Sequence, residues 1–300
     1  MVVFSQFSYI SENMGILFAL SALFFWGIGD FLVQKVARVV GKWLGIFFIS
    51  SFASICFFPF VYKDIFNIFS NKWDFFLLLF TSIIYFLGVL IDFKALKKGK
   101  LSIVEPIYVF EIFIASLLSA IFLKEYLNFI EMILITFIIC GLSFISIKSF
   151  SDFSKIKIEK GVILAIFATI FMGISSFLFG LSSREIDPFM INWFTNFLMM
   201  IISLSYFLYN GKLSKIKKAL KEEPRLIFGM SFFTNIAWIA FSISTTYIPI
   251  SIATSISASY IAFASLLGII FNKEKLKTHQ IFGLIISIIG IIILSFIFEK

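Results

Sequence analysis

Apolar residues fall in blocks of about twenty along this chain, separated by short stretches rich in Lys, Asn, Ser and Gly. At 1.5 Å per residue, a helical block of about that length crosses about 30 Å of hydrocarbon. Ten blocks have that length, at roughly 14–33, 43–62, 75–96, 101–123, 128–147, 160–181, 188–209, 225–246, 249–271 and 279–298. Continuous blocks favour helices over the short alternating segments of a membrane barrel. The connections are too short for a soluble domain. The pattern predicts an all-α membrane protein with ten transmembrane helices.

Composition supports that solvent. Hydrophobic residues make up 60% of the chain and charged residues 14%, whereas soluble domains carry about 25% charged residues. No Lys or Arg precedes Lys35, unlike the basic start of a cleavable signal peptide. The net charge of +8 resides in loops between spans, which argues against a nucleic-acid partner. Cys56 and Cys140 lie within apolar blocks and His279 is the only histidine. Neither a disulfide framework, a metal site nor a cofactor is expected. The loops after spans 1, 3, 5, 7 and 9 hold 20 of the 25 Lys and Arg residues. The positive-inside rule then places these loops in the cytoplasm and both termini outside. The runs "KALKKGK" (94–100) and "KLSKIKKALKEEPR" (212–225) dominate that bias, the second as a solvated loop or short surface helix.

The chain also repeats itself. Ser102–Leu127 aligns with Ser251–Leu276 at an offset of 149, with 13 of 26 positions identical, among them "ASLL" and the closing Lys-Glu. Residues 15–38 align with 161–184 at an offset of 146, with nine identities in 24, including Gly27/Gly173 and Arg38/Arg184. Residues 1–148 form a first five-span repeat, 149–160 a basic linker and 161–300 a second repeat. Five is odd, so the second repeat enters the membrane from the opposite side. Inverted repeats of this kind build many secondary transporters around a midplane site.

The segments "KGKLSIVEPIYVFEIFIASLLSAIFLKEYLNFIEMILITFIICGLSFI" (98–145) and "TTYIPISIATSISASYIAFASLLGIIFNKEKLKTHQIFGLIISIIGIIIL" (245–294) resemble the closing helix pair of an EamA domain, of the drug/metabolite transporter superfamily. The matched features are Pro106 early in span 4, the Glu after each copy of that helix, and Gly141 and Gly290 in the next. Trp26-Gly27 fits the first span. The resemblance covers nearly the whole chain as two tandem domains. It implies a multi-pass plasma-membrane carrier of small organic solutes, often an exporter of amino acids or other metabolites, working without ATP. Two features depart from it. Ser255 stands where the first copy has Pro106, and many relatives are drawn with cytoplasmic termini.

Ionisable groups inside a span are costly and point to function. Span 4 carries Glu105, Tyr108 and Glu111, whose three-residue spacing spreads them over one broad face. They are candidates to bind a cationic or amino group, or a coupling proton; Glu105 is close enough to the span end to reach "KKGK" instead. The second copy has Thr254 and Tyr260 opposite the two acids, so the first half supplies carboxylates and the second hydroxyls. Tyr85, Gly88 and Asp92 share a face of span 3, with Asp92 either in the site or anchored to Lys94 or Lys97. Asp30 follows "FFWGIG" and has the same two readings because Lys35 is near. Asn235 and Trp238 share a face of span 8 that could line a pocket, whereas Asn192 and Asn196 suit helix–helix hydrogen bonds. Trp43, Trp73 and Tyr206 suit interfacial belts. Lys124-Glu125 and Lys273-Glu274 read as helix-end contacts, and Gly283, Ser287 and Gly290 as a close-packing stripe within a monomer or in a homodimer.

These residues hold no nucleophile triad or phosphate-binding glycine loop, so an enzyme is not expected. The expectation is a secondary transporter of a small polar organic solute, an amino acid or related metabolite, exporting by alternating access with or without proton coupling. The alternatives are an uncoupled facilitator or exchanger, and a non-transporting membrane receptor or scaffold.

Overall fold

The computed structural model describes residues 2–98, 107–147, 160–263 and 276–298. Glu105, Pro106, Lys273, Glu274, the repeated "ASLL" of the second half and nearly all of the basic linker lie outside the described residues. The first half contributes α1 (Val2–Val39), α2 (Lys42–Val61), the short α3 (Ile65–Ser70), α4 (Lys72–Lys98), α5 (Glu111–Leu123) and α6 (Phe129–Ser146). The second contributes α7 (Lys160–Glu185), α8 (Pro188–Tyr209), the surface helix α9 (Leu213–Glu222), α10 (Pro224–Tyr247), α11 (Ile250–Ser257) and α12 (Thr278–Phe298). Eight of these helices are long and apolar enough to span a bilayer, and two shorter apolar helices occupy the positions of spans 4 and 9.

Local chemistry sets several boundaries. Asn128 caps α6 by accepting from the Glu131 amide at 3.0 Å, while the Glu131 carboxylate accepts from the Asn128 amide at 2.8 Å. That reciprocal box satisfies two amides a helix start leaves open. Asp187 accepts from the Met190 amide at 2.8 Å, and Pro188 opens α8 where no amide is needed. The basic run becomes α9, which turns Ala219 into a small cluster with Ile227 and Met230 and leaves its lysines exposed.

The halves are interleaved. The most extensive seams join α1 to α10, α4 to α7, α6 to α12 and α2 to α8, each pairing one half with the other. The seams obey a two-fold exchange of the repeats: α1–α10 mirrors α7–α4, α5–α7 mirrors α11–α1, and α2–α10 mirrors α8–α4. Polar groups tie these seams where lipid offers no partner. The Trp193 indole donates to the Ser54 carbonyl at 3.1 Å, Ser82 and Thr195 meet at 3.0 Å, and the Gln280 amide donates to the Ile145 carbonyl at 2.9 Å. Asn192 donates to the Ser242 hydroxyl of α10 at 2.7 Å. Trp43 stacks on Tyr206 at 4.1 Å.

The glycine stripe works inside the bundle. A Cβ on Gly141 would sit 2.7 Å from the Gly283 carbonyl oxygen and 2.8 Å from the Ser287 amide nitrogen, and one on Gly283 would sit 2.5 Å from the Gly141 carbonyl oxygen. Backbone cannot retreat as a side-chain tip can. Gly141→Leu is therefore expected to destabilise the solubilised protein by about 1–3 kcal/mol or more, as overpacking does, and to lower its thermal unfolding midpoint. An unchanged midpoint would show that α6 and α12 do not pack this way.

Candidate functional site

Spans 4 and 9 are broken at equivalent places. In the first, Val109 and Phe110 form a turn between a short helical piece at 107–108 and α5; in the second, Ala258 and Ser259 form one between α11 and a helical piece at 260–263. The offset of 149 maps one break onto the other. Tight i−3 hydrogen bonds mark both: Phe110 to Ile107 at 3.1 Å and Ile112 to Val109 at 3.3 Å, then Ser259 to Ile256 at 3.2 Å and Ala262 to Ser259 at 3.0 Å. The second break forms without the proline that precedes the first. Ser255, Ser257 and Ser259 instead donate to the carbonyls four residues back, at 2.6–2.7 Å, a substitution of side chain for backbone that bends helices. Glu111 is the first residue of α5 and Tyr260 the first after the second break.

Glycines bring each broken helix against a first span. A Cβ on Gly27 of α1 would lie 2.6 Å from the Phe263 ring, and one on Gly173 of α7 would lie 2.6 Å from Ile114 and 3.1 Å from the Glu111 carbonyl oxygen. Gly27 maps to Gly173 and Ile114 to Phe263, so the two contacts are one contact written twice. Three residues beyond each glycine the polar chemistry follows. The Tyr260 hydroxyl donates to Asp30 of α1, and the Ser176 hydroxyl of α7 donates to Glu111 at 2.5 Å. Asp30 maps to Ser176 and Glu111 to Tyr260. Each repeat-related contact is thus a carboxylate–hydroxyl pair, with the acid always from the first half.

Asp92 of α4 is the third acid. It lies near Tyr108 and in electrostatic range of Asp30 and Glu111. Of the two lysines that offered it an interfacial anchor, Lys94 is exposed and the side chain of Lys97 lies outside the described residues. Tyr85 is 7% exposed and interacts with all three acids, and the Trp238 indole donates to its hydroxyl. Trp238 meets the Tyr85 ring at 4.9 Å, Phe179 at 4.6 Å and Trp26 at 5.1 Å, and Trp26 meets Tyr260 at 6.3 Å. Asp30, Asp92 and Glu111 are only half-buried although they sit among one another on three helices. They cluster inside the bundle without being fully covered by their neighbours.

Other candidates lie elsewhere. The Asn235 amide donates to the Ile49 carbonyl of α2 at 3.0 Å and to Ser231 at 2.8 Å, which commits it to a helix seam. Thr254 is 2% exposed, and its hydroxyl has no hydrogen-bond partner. A groove of about 420 Å³ between α2, α3 and α8 is lined by apolar side chains such as Phe58, Phe69 and Trp193 and holds none of the acids. Ser176 was not singled out from the sequence, although the repeat alignment sets it opposite Asp30. Arg184 was noted only as a repeat identity. Its guanidinium pairs with Glu125 and donates to the Thr245 carbonyl at 2.5 Å and the Ile248 carbonyl at 2.8 Å. Glu125 also accepts from Ser119 and from the Ile250 amide, the latter at 3.0 Å. The ends of α5, α7, α10 and α11 are thereby tied together.

Fold and site together define a multi-pass integral membrane protein built from two inverted five-helix repeats, with a cluster of acidic and aromatic side chains inside the bundle. Residues 13–147 and 159–296 each match the EamA-like transporter family. The chain belongs to that family and is a membrane transporter of the drug/metabolite superfamily. No curated protein matches it. One solved crystal structure of a protein is similar over 94% of this chain and 94% of its own, with a TM-score of 0.70 and 11% sequence identity, a likeness of fold.

Losing the Ser176 hydroxyl leaves Glu111 short of a donor. Ser176→Ala is expected to cost on the order of 1 kcal/mol, seen as a lower unfolding midpoint, with a smaller loss when Glu111→Gln is already present. Strictly additive losses would mean that the two side chains do not interact.

Proposed function

We propose that this chain is a secondary transporter that exports a small polar organic solute, an amino acid or related metabolite, across the plasma membrane by alternating access with proton coupling. The observation that carries this reading is the meeting of three half-accessible carboxylates between the halves, beside two helix breaks. Like charges facing one opening need a counter-charge, which a proton or a bound solute supplies. Breaks at mid-membrane are tolerated where they line a cavity.

Alternating access needs one end closed while the other is open. The Arg184–Glu125 network ties four helices at the end away from the basic loops. With those loops in the cytoplasm, the tied end faces outward and the acids communicate with the cytoplasm. That orientation suits loading for export.

Flux in proteoliposomes, with and without a pH gradient, tests the reading. Glu111→Gln is expected to abolish the pH-gradient dependence and to slow flux by about a hundredfold, the loss of a proton-transfer group. Gradient-dependent flux that persists in this variant would remove Glu111 as a coupling group, and gradient-independent flux in the parent chain would make the protein a facilitator.

The closure has its own test. Glu125→Gln removes the charge that holds Arg184 and shifts the chain toward the outward-open form. In a background lacking Cys56 and Cys140, a cysteine replacing the buried Ser183 should react with an impermeant maleimide from outside several times faster once Glu125 is Gln. Equal rates would show that this network does not hold the end closed.

A further inference from the structure

Asp30, Asp92 and Glu111 are in electrostatic range of one another, and Asp30 and Glu111 each already hold one hydroxyl donor. Among the described residues the ion pairs are Arg184–Glu125 and Lys218–Glu222; neither involves these three acids. The cation nearest in kind, Arg184, is bound to Glu125 and two carbonyls at the closed end. Among the described residues, the cluster offers carboxylates to an occupant and no cation to receive a carboxylate.

Its aromatic wall is a second, independent feature. Tyr85 and Tyr260 reach the acids, and Trp26 and Trp238 pack against these tyrosines, the Trp26–Trp238 and Tyr85–Trp238 pairs nearly edge-on at 83° and 75°. In such a pair the edge of one ring meets the face of the other, and a face left uncovered attracts an ammonium or its attached methyl groups; Trp26 and Tyr260 are only half-buried. Beside the wall, the Thr234 hydroxyl is buried at 8% exposure and has no hydrogen-bond partner. It lies against Gly29, next to Asp30: a Cβ there would be 3.2 Å from its oxygen.

We propose that the solute is an organic cation without a carboxylate, an amine or quaternary ammonium compound, held with its charge among Asp30, Asp92 and Glu111 and its carbon body against Trp26 and Tyr260. This rests on the transporter reading of the same site and narrows it from amino acids to their decarboxylated relatives. A zwitterion would bring its own carboxylate beside three others, with no cation to offset it. An anion would be repelled outright. A neutral polar solute would leave the charges unanswered.

Matched pairs of probes decide it. Choline and glycine betaine share a trimethylammonium group, and only the second has a carboxylate; 1,4-diaminobutane and ornithine differ in the same way. Binding to the purified full chain is read from tryptophan fluorescence, since Trp26 and Trp238 pack against Tyr260 and Tyr85 beside the acids. At least one amine is expected to bind about tenfold or more tightly than its carboxylated partner, a difference of about 1.4 kcal/mol. Asp30→Asn and Trp26→Leu should each weaken that binding in protein that still elutes as a single species. If neither variant folds, the matched pairs in the parent chain decide alone. Equal or tighter binding of both carboxylated probes, or no binding by either amine, overturns the assignment. Flux in proteoliposomes separates the two levels. Transport of ornithine or betaine without transport of the amines sinks the amine assignment and leaves the transporter intact. Tight amine binding with no flux of any probe supports the site chemistry and counts against transport.

Discussion

Hydrocarbon offers no hydrogen bonds, so every polar group between the headgroups must be answered from inside the bundle. That constraint explains where the seams of this protein lie. The Trp193 indole, the Asn235 amide and the Gln280 amide all reach carbonyls on a neighbouring helix. It also explains why the two helix breaks and the three acids occur together. A break leaves backbone groups open and an acid needs donors, and one internal opening serves both. Tyr260 and Ser176 supply donors, and the glycines at 27 and 173 let the broken helices come close enough to use them.

Duplication set this geometry, and divergence set its chemistry. The Gly27–Phe263 and Gly173–Ile114 contacts are copies of one contact, as are Asp30–Tyr260 and Ser176–Glu111. Acid and hydroxyl exchange places between the copies. The bend near mid-span was also kept by different means, with a proline before it in one half and a ladder of serine hydroxyls in the other. On the proposed alternating access, the pseudo-two-fold frame would swing between two related forms, while its unequal acids give the cluster a single sign of charge. The residue types of the tie, Arg184 and Glu125, recur in the repeat at Arg38 and Glu274.

The ten-block pattern and the two offsets made the helices, their number and the inverted arrangement legible, because period and length are one-dimensional properties. The glycine stripe in span 10 was legible for the same reason. What the pattern could not show was which helices meet. Asp92 read equally well as an anchor to Lys94, since sequence distance says nothing of rotation about the helix axis. Asn235 shares a face with Trp238 on paper, yet its amide is drawn to the Ile49 carbonyl. Ser176 went unnoticed because a serine in an apolar helix commonly bonds its own backbone; its partner, Glu111, is 65 residues away. Glu125 read as a helix-end contact and Arg184 only as a repeat identity until the fold placed them together.

The interleaving constrains how such a frame can move. The sequence repeats are not the packing units, because α1 is bound to α10 and α11 and α4 is bound to α7. Breaking those seams would expose the most extensive contacts in the molecule. A motion that keeps them must rock one mixed body, containing α1, α10 and α11, against another containing α4, α5 and α7. The first body carries Asp30 with Tyr260 and Trp26; the second carries Glu111 with Ser176, and Asp92 beside Tyr85. Each body therefore holds one of the duplicated acid–hydroxyl pairs, and the opening is the gap between them. Arg184 and Glu125 belong to the second body, while the Thr245 and Ile248 carbonyls and the Ile250 amide belong to the first. The tie therefore crosses the gap that rocking would open, and a solute held by Asp30 and Glu111 would feel both bodies at once.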